Sequence, residues 1–259
     1  MPLASRGPIQ GLRAIGSTKV EMVRLNGRIR NVLVMPTQFT TKKSHCLGEL
    51  RCFIFDLDGT LVENMELIVR SVNFAVKDFV AKEFSRYELY PHFGATLEQI
   101  VSGLVPAPEK DKAVRRYHTY YRDHFRELAH VYEGIPALIN RLRDEGVRTA
   151  ICTGSDARMT NTTLELTDLQ EQFPVAVTAD DVKEGKPDPE GLTRALDLMH
   201  ASRDGALYLG DAVRDIKAAK RASILSAAAL WGFGDPAALK NSGPDFAFER
   251  PQDALQLLA

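Results

Sequence analysis

The chain has 259 residues, 44% hydrophobic and 26% charged, with a formal net charge of −1. This composition excludes disordered, collagen-like and low-complexity classes, and the length admits one large domain or one domain with an insert. Cys46, Cys52 and Cys152 are odd in number without CxxC pairing, and the longest apolar run, residues 224–233, is far shorter than the roughly 18 residues of a membrane span. A reducing, cytoplasmic setting with no membrane partner is therefore expected.

The charge is unevenly spread. Residues 1–50 hold eight lysines and arginines against Glu21 and Glu49, so the rest of the chain is acidic. A basic, acid-poor segment of this kind reads as an extension, an organelle-targeting peptide or a nucleic-acid arm. Residues 20–25 and 28–35, however, flank Asn26-Gly27, the strongest short hairpin signal. Residues 1–48 are thus expected to be a basic extension or accessory hairpin, with targeting as the alternative and no nucleic-acid partner.

From residue 51 the pattern becomes regular. Residues 51–55 (RCFIF) predict a buried strand. Leu67, Ile68, Val72, Ala75, Val76, Phe79 and Val80 recur near the helical period and predict a helix over 64–84. Two more helices are expected over 94–104 and 111–129, separated by Pro106-Ala107-Pro108. After Glu133-Gly134, helices over 136–143, 156–169, 189–199, 213–221, 236–241 and 252–258 alternate with strands over 147–153, 175–178, 206–209, 224–230 and 246–248. Such alternation predicts right-handed crossovers and an α/β fold with a doubly wound parallel sheet. Residues 65–131 lack predicted strands and are expected to be an inserted α-helical unit, leaving 49–64 and 132–259 as the α/β core.

In a doubly wound sheet the ligand site lies outside the carboxyl ends of the strands. The predicted strand ends are followed by Asp56-Leu57-Asp58-Gly59-Thr60, by Thr153-Gly154-Ser155-Asp156 and by Gly210-Asp211-Ala212-Val213-Arg214-Asp215; Gly185-Lys186-Pro187 precedes the helix over 189–199. This set suits phosphoryl transfer to a carboxylate. One carboxylate attacks phosphorus, and a second acts as acid and then as base. Converging carboxylates call for a divalent cation, and oxygen ligands suit Mg²⁺. A hydroxyl, backbone N–H groups and a lysine can stabilise the transferred charge.

These residues resemble the haloacid dehalogenase-like (HAD) hydrolase superfamily, in its phosphoglycolate phosphatase-like subgroup with a helical cap. The resemblance spans residues 51 to about 234 and rests on DLDGT at 56–60, the strand ending in Thr153, Lys186 in GKPDPE, and GDAVRD at 210–215. It implies that Asp56 is the nucleophile and Asp58 the general acid/base. Thr153 would bind the phosphoryl group, and Lys186 would stabilise both it and the nucleophile. Gly59, Thr60, Gly154 and Ser155 would contribute to substrate binding. Mg²⁺ would be held by Asp56, the Asp58 backbone carbonyl and Asp211, with Asp215 supporting it. Residues 65–131 would be the cap.

Dehalogenases of this family lack the second aspartate, so Asp58 implies phosphate-ester cleavage. A Schiff-base lysine would fall in Gly94-Ala95-Thr96-Leu97, where Leu97 stands instead. The expected partner is a small phosphorylated metabolite, with phosphoglycolate the first candidate and a monomer or homodimer the expected assembly. The alternatives are a sugar phosphomutase and a non-catalytic binding module that uses the extension. Blander roles remain open for several residues. Ser155 and Asp156 fit an N-cap pair, and Cys152 fits a buried small hydrophobe. His118, His124 and His130, with Tyr117, Tyr120 and Tyr121, fit packing and surface groups of a cap helix. Arg115 and Arg116 fit solvated charges, and Trp231 and Phe233 fit loop packing.

Overall fold

The computed structural model describes residues 19–25, 28–34, 50–93 and 95–258. Strands β1 (Lys19–Leu25) and β2 (Arg28–Val34) form the expected antiparallel hairpin, with Leu25 opposite Arg28 and Lys19 opposite Val34. The Asn26-Gly27 turn, the remainder of the 1–48 extension with His45 and Cys46, and Gly94 lie outside the described residues.

β3 (Cys52–Phe55) is buried on both faces. Phe53 and Phe55 join one hydrophobic cluster and Cys52 and Ile54 another, the period-two division of a central parallel strand. The chain then forms β4 (Val62–Glu63) and a helical layer of α1 (Met65–Val76), α2 (Arg86–Leu89), α3 (Leu97–Gly103) and α4 (Lys110–Leu128). It returns through β5 (His130–Val131), which pairs antiparallel with β4. This short pair falls at the edge of the stretch predicted to be strand-free, and His130 belongs to it rather than to a helix. Two-residue strands carry no readable periodicity, which is why the sequence pattern misses them.

In α4, Ala113, Tyr117, Tyr121 and Phe125 are buried at every fourth position, a ridge that packs on α1. The helix predicted over 64–84 stops at Val76 although Phe79 and Val80 continue its apolar period. Asn73 holds Phe84 through both its amide hydrogen and its carbonyl oxygen, each at 2.8 Å, folding the chain back. Ser85 and Glu88 then form a capping box that starts α2, a helix absent from the sequence reading.

The chain continues through α5 (Ile135–Asp144), β6 (Arg148–Cys152), α6 (Ala157–Leu166), β7 (Ala176–Val177), α7 (Glu190–Leu198), β8 (Ala206–Gly210), α8 (Val213–Arg221), β9 (Leu225–Ala229), α9 (Pro236–Asn241) and β10 (Phe246–Phe248). The final predicted helix is a 3₁₀ segment, Pro251–Leu258. Six strands make one parallel sheet in the order β10-β9-β8-β3-β6-β7. The α5 helix, the final segment and the helical layer share a cluster with one face. Leu192 and Leu196 of α7, with Ala218 and Ala219 of α8, cover the other. β3 lies between β6 and β8, so the winding reverses on either side of it and a crevice opens beyond its carboxyl end.

Candidate active site

Asp56 directly follows β3, Thr153 directly follows β6, and Asp211 directly follows β8, so the parallel sheet delivers all three to one edge. Lys186 reaches the same edge from the loop before α7, where its peptide bond to Pro187 is cis. Its Nζ lies 2.9 Å from Asp56 Oδ2 and 2.7 Å from Asp215 Oδ1. It also donates to the Tyr208 hydroxyl at 2.9 Å, and that hydroxyl donates to the Cys152 carbonyl at 2.8 Å. Asp56 Oδ1 accepts the Leu57 N–H, and Asp215 Oδ2 accepts the Ala212 N–H, both at 2.8 Å. Lys186 is therefore fixed by three oxygens rather than solvated.

Asp56, Asp211 and Asp215 are buried, and each offers an oxygen within 4.8 Å of the others. Their electrostatics reflect that crowding. Burial pushes Asp56 up to about 6, against the pull of Lys186. Burial, then Asp215 and Asp56, push Asp211 up to about 8. Burial opposes the charge on Lys186, but Asp215 and Asp56 outweigh it and hold the ammonium above its ordinary range. A buried set of hard carboxylate oxygens, two of whose members, Asp56 and Asp211, are held above the ordinary carboxylate range, fits a Mg²⁺ ion. Both oxygens of Asp56 and both of Asp215 already accept a hydrogen bond or face Lys186, whereas Asp211 engages only Oδ2, with the Phe233 N–H, and among the described residues keeps Oδ1 without a partner.

The Asp58 carboxylate stands apart from this cluster. Its Oδ1 accepts from Asn64 Nδ2 and its Oδ2 from Ser155 Oγ, both at 2.6 Å. Asn64 also donates to the Tyr121 hydroxyl at 2.8 Å, and Tyr121 is 3.0 Å from Thr163 Oγ1 on α6. The pair proposed as an N-cap thus divides: Asp156 caps α6 by accepting the Met159 N–H at 2.8 Å, while Ser155 faces Asp58.

The loop after β9 closes the site from beneath. The Phe233 N–H donates to Asp211 Oδ2 at 2.6 Å, and Trp231 Nε1 donates to the Thr60 carbonyl at 3.1 Å. Gly59 has φ +78°, and a Cβ there would lie 2.9 Å from both Asp211 Cγ and Phe233. These two aromatic residues therefore do more than pack: their N–H groups tie the loop to Asp211 and to the turn that carries Thr60.

A cavity of about 510 Å³ separates the sheet edge from the helical layer. Thr96, Glu98 and Gln99 line it from above, and Thr153, Gly154 and Lys186 from below. A narrower recess leads to Asp56, Asp58, Ser155 and Asp211, with Leu97 in its wall. Gly59 and Thr60 are not among the residues lining either space. Thr60 is fully buried beneath them, because the tight turn that aims Asp58 turns the next residues inward. Arg116 faces Asp78 and the Phe74 carbonyl, and Arg115 is exposed. His118 is buried against Glu98 at 2.7 Å, and His124 stacks on Tyr120 with ring centroids 3.9 Å apart.

Sequence reasoning gave no site role to Asn64, Tyr208 or Arg214 and read Tyr121 as a packing group. Tyr208 carried a usable signal, since a tyrosine inside an all-buried strand needs a partner for its hydroxyl. Arg214 lay inside the quoted GDAVRD motif. Asn64 and Tyr121 are brought together only by tertiary packing.

The model of the family described as haloacid dehalogenase-like hydrolase matches residues 53–229. The chain is 32% identical to Pyrophosphatase PpaX of Listeria welshimeri over 212 residues, covering 82% of this chain and 97% of that protein. It is likewise 32% identical to Pyrophosphatase PpaX of Bacillus cereus over 206 residues, covering 80% and 95%. Among solved structures, a protein of Lactobacillus plantarum provisionally assigned as a phosphoglycolate phosphatase shares 27% identity at a TM-score of 0.68, covering 81% of this chain and 99% of that one. A Haemophilus somnus protein of the same predicted activity matches the fold with a TM-score of 0.74 at 21% identity, over 81% of this chain and 98% of its own.

Proposed function

From the premise that this chain belongs to the haloacid dehalogenase-like hydrolase family and is a phosphatase of it, we propose that it is a Mg²⁺-dependent enzyme hydrolysing a small phosphorylated metabolite through an aspartyl-phosphate. The observation that carries the reading is the division of labour between two carboxylates two residues apart. Asp56 is drawn into the buried cluster beside Lys186, while Asp58 is turned out of it and held by Ser155 and Asn64.

The Asp56 carboxylate attacks phosphorus, the bond to the leaving oxygen breaks, and an acyl-phosphate forms. Asp58 supplies the proton that the leaving oxygen takes up. In the second step Asp58 takes a proton from water as that water attacks the acyl-phosphate, breaking its bond to phosphorus, releasing phosphate and restoring the Asp56 carboxylate and the protonated Asp58. Lys186 stays charged throughout and balances the negative charge gathered on the transferred oxygens. Thr153 and the N–H groups of the turn after β6 offer donors to the same oxygens. Magnesium, when bound by Asp56 and Asp211 with the Asp58 carbonyl, neutralises the crowded carboxylates and the phosphoryl charge. Residues 65–131 act as a cap whose closure excludes water from the site.

The relatives' names supply the first substrates for testing, pyrophosphate and phosphoglycolate. Phosphate release from a panel of phosphorylated metabolites is measured with Mg²⁺ and with EDTA, using Asp56→Asn as the blank. The expected result is Mg²⁺-dependent release that Asp56→Asn abolishes while its circular dichroism stays unchanged. Release by Asp56→Asn at the wild-type rate would refute the nucleophile. Isomerisation of a sugar phosphate without release would move the chain to the phosphomutases.

A further inference from the structure

Arg214 stands in the first turn of α8, between Asp211 and the helix-facing Asp215. It lines both the 510 Å³ cavity and the narrower recess that leads to Asp56, together with Thr153 and Gly154. Among the described residues its guanidinium makes no hydrogen bond and no ion pair. Arg116, by contrast, is bound to Asp78, Arg122 to Glu165 and Arg143 to Asn140 and Gln172.

A largely buried cation without a contact partner is costly. Burial opposes its charge, and the field of Asp215, Asp56 and Asp211 holds the guanidinium ionised. Compensating those carboxylates does not explain why Arg214 lines both cavities without a hydrogen-bond partner. Lys186 already pairs with two of the three, at 2.9 and 2.7 Å. A bound divalent cation would relieve the same charge. What remains is a planar fork of five N–H donors, suited to a carboxylate or phosphoryl group, on a residue that lines the cavity and the recess leading to Asp56.

We propose that Arg214 binds a second anionic group of the substrate, so that this enzyme selects small phosphate esters or anhydrides bearing a further carboxylate or phosphoryl group near the scissile phosphate. This inference rests on the phosphatase reading above and adds a substrate class to it. The transferred phosphoryl belongs to Asp56, Thr153 and Lys186; the second anion belongs to Arg214.

The test compares kcat/KM for two-anion substrates, pyrophosphate and phosphoglycolate, with that for one-anion esters, ethyl phosphate and p-nitrophenyl phosphate, in the presence of Mg²⁺. Loss of a charge-assisted bidentate contact corresponds to about 10- to 100-fold. Arg214→Gln is expected to lower the two-anion to one-anion ratio by that factor, chiefly through KM. Whichever of the two leading substrates loses more identifies the anion, phosphoryl or carboxylate. Arg214→Lys keeps the charge but not the fork, and about a tenfold fall in the ratio is expected; it decides the matter should Arg214→Gln fail to fold. A ratio unchanged by substitution overturns the proposal while leaving the phosphatase intact. A binding arm separates the two claims. Phosphonoacetate and methylphosphonate are titrated into Asp56→Asn with and without Arg214→Gln. A preference for phosphonoacetate that disappears with Arg214 sustains the subsite even if no ester is hydrolysed. Equal binding of the two phosphonates overturns it.

Discussion

Asn64 directs its two amide hydrogens to different layers of the molecule, one to Asp58 at 2.6 Å and one to Tyr121 at 2.8 Å. It is fully buried, so the geometry it enforces on Asp58 is not softened by solvent. Among the described residues, Asn64→Ala leaves Ser155 as the one side chain bonded to the Asp58 carboxylate, which becomes free to misalign. We expect kcat to fall about tenfold with KM within twofold, since general acid/base catalysis is worth about 10²–10⁴ and only part depends on this one contact. Steady-state kinetics on any accepted substrate checks it; an equal rise in KM would show that Asn64 touches substrate instead. That Asp56, Asp58 and Lys186 lie at one sheet edge was legible in the sequence, because each follows a strand end or a breaker. Asn64 was not: its partner lies 57 positions away, on a helix whose tyrosines read as packing.

Loops, rather than helices and strands, decide how tightly the site closes. The segment after β9 brings Gly232 so near that a Cβ would collide with the Asp211 side chain and the Gly59 carbonyl. Gly232→Ala must push this loop away from Asp211. The expected result is weaker Mg²⁺ binding, by about tenfold, and a stability loss of about 1–3 kcal/mol from overpacking; titration calorimetry and denaturant unfolding read the two effects. Unchanged metal affinity would mean that the loop does not brace Asp211. Helix and strand ranges were largely readable along the core. α8, α9 and β10 fall on the predicted bounds, because proline and aspartate mark their starts and turn residues mark their ends. The helical layer was less readable. There the apolar period of α1 runs on past Val76, and only the side chain of Asn73, bonded across eleven positions, shows where the chain turns.

At the scale of the whole molecule, three acidic side chains are buried in one cluster beside Lys186 and Arg214, so folding gathers charge that the unfolded chain keeps apart. A cation that binds only the folded form adds stability by mass action, about 2.7 kcal/mol at a hundredfold excess over its Kd. For a chain of this size that corresponds to a rise in Tm of about 5–10 °C with Mg²⁺. Asp211→Asn, which removes the carboxylate with an unengaged oxygen, is expected to abolish most of the rise. A Tm indifferent to Mg²⁺ in the wild type would count against the metal site. The sheet order itself was never spelled out by the sequence, but alternation of helix and strand together with the rule for right-handed crossovers left little freedom. Which strand lies beside which is set by side-chain packing on both faces, and that is invisible one residue at a time.

The pairing of β4 with β5 has a further consequence. Val62–Glu63 and His130–Val131 are the two passages between sheet and helical layer, and they run side by side, one strand spacing apart. The insert is therefore attached like a drawer on a single pair of rails. Its outgoing and returning ends meet, so its interior can lengthen, shorten or be exchanged without moving either rail. The cost in chain entropy grows only slowly with the length inserted. The sheet edge that holds the acids is thereby insulated from change in the layer that faces the substrate, and one chemistry can be kept while its clientele is rewritten.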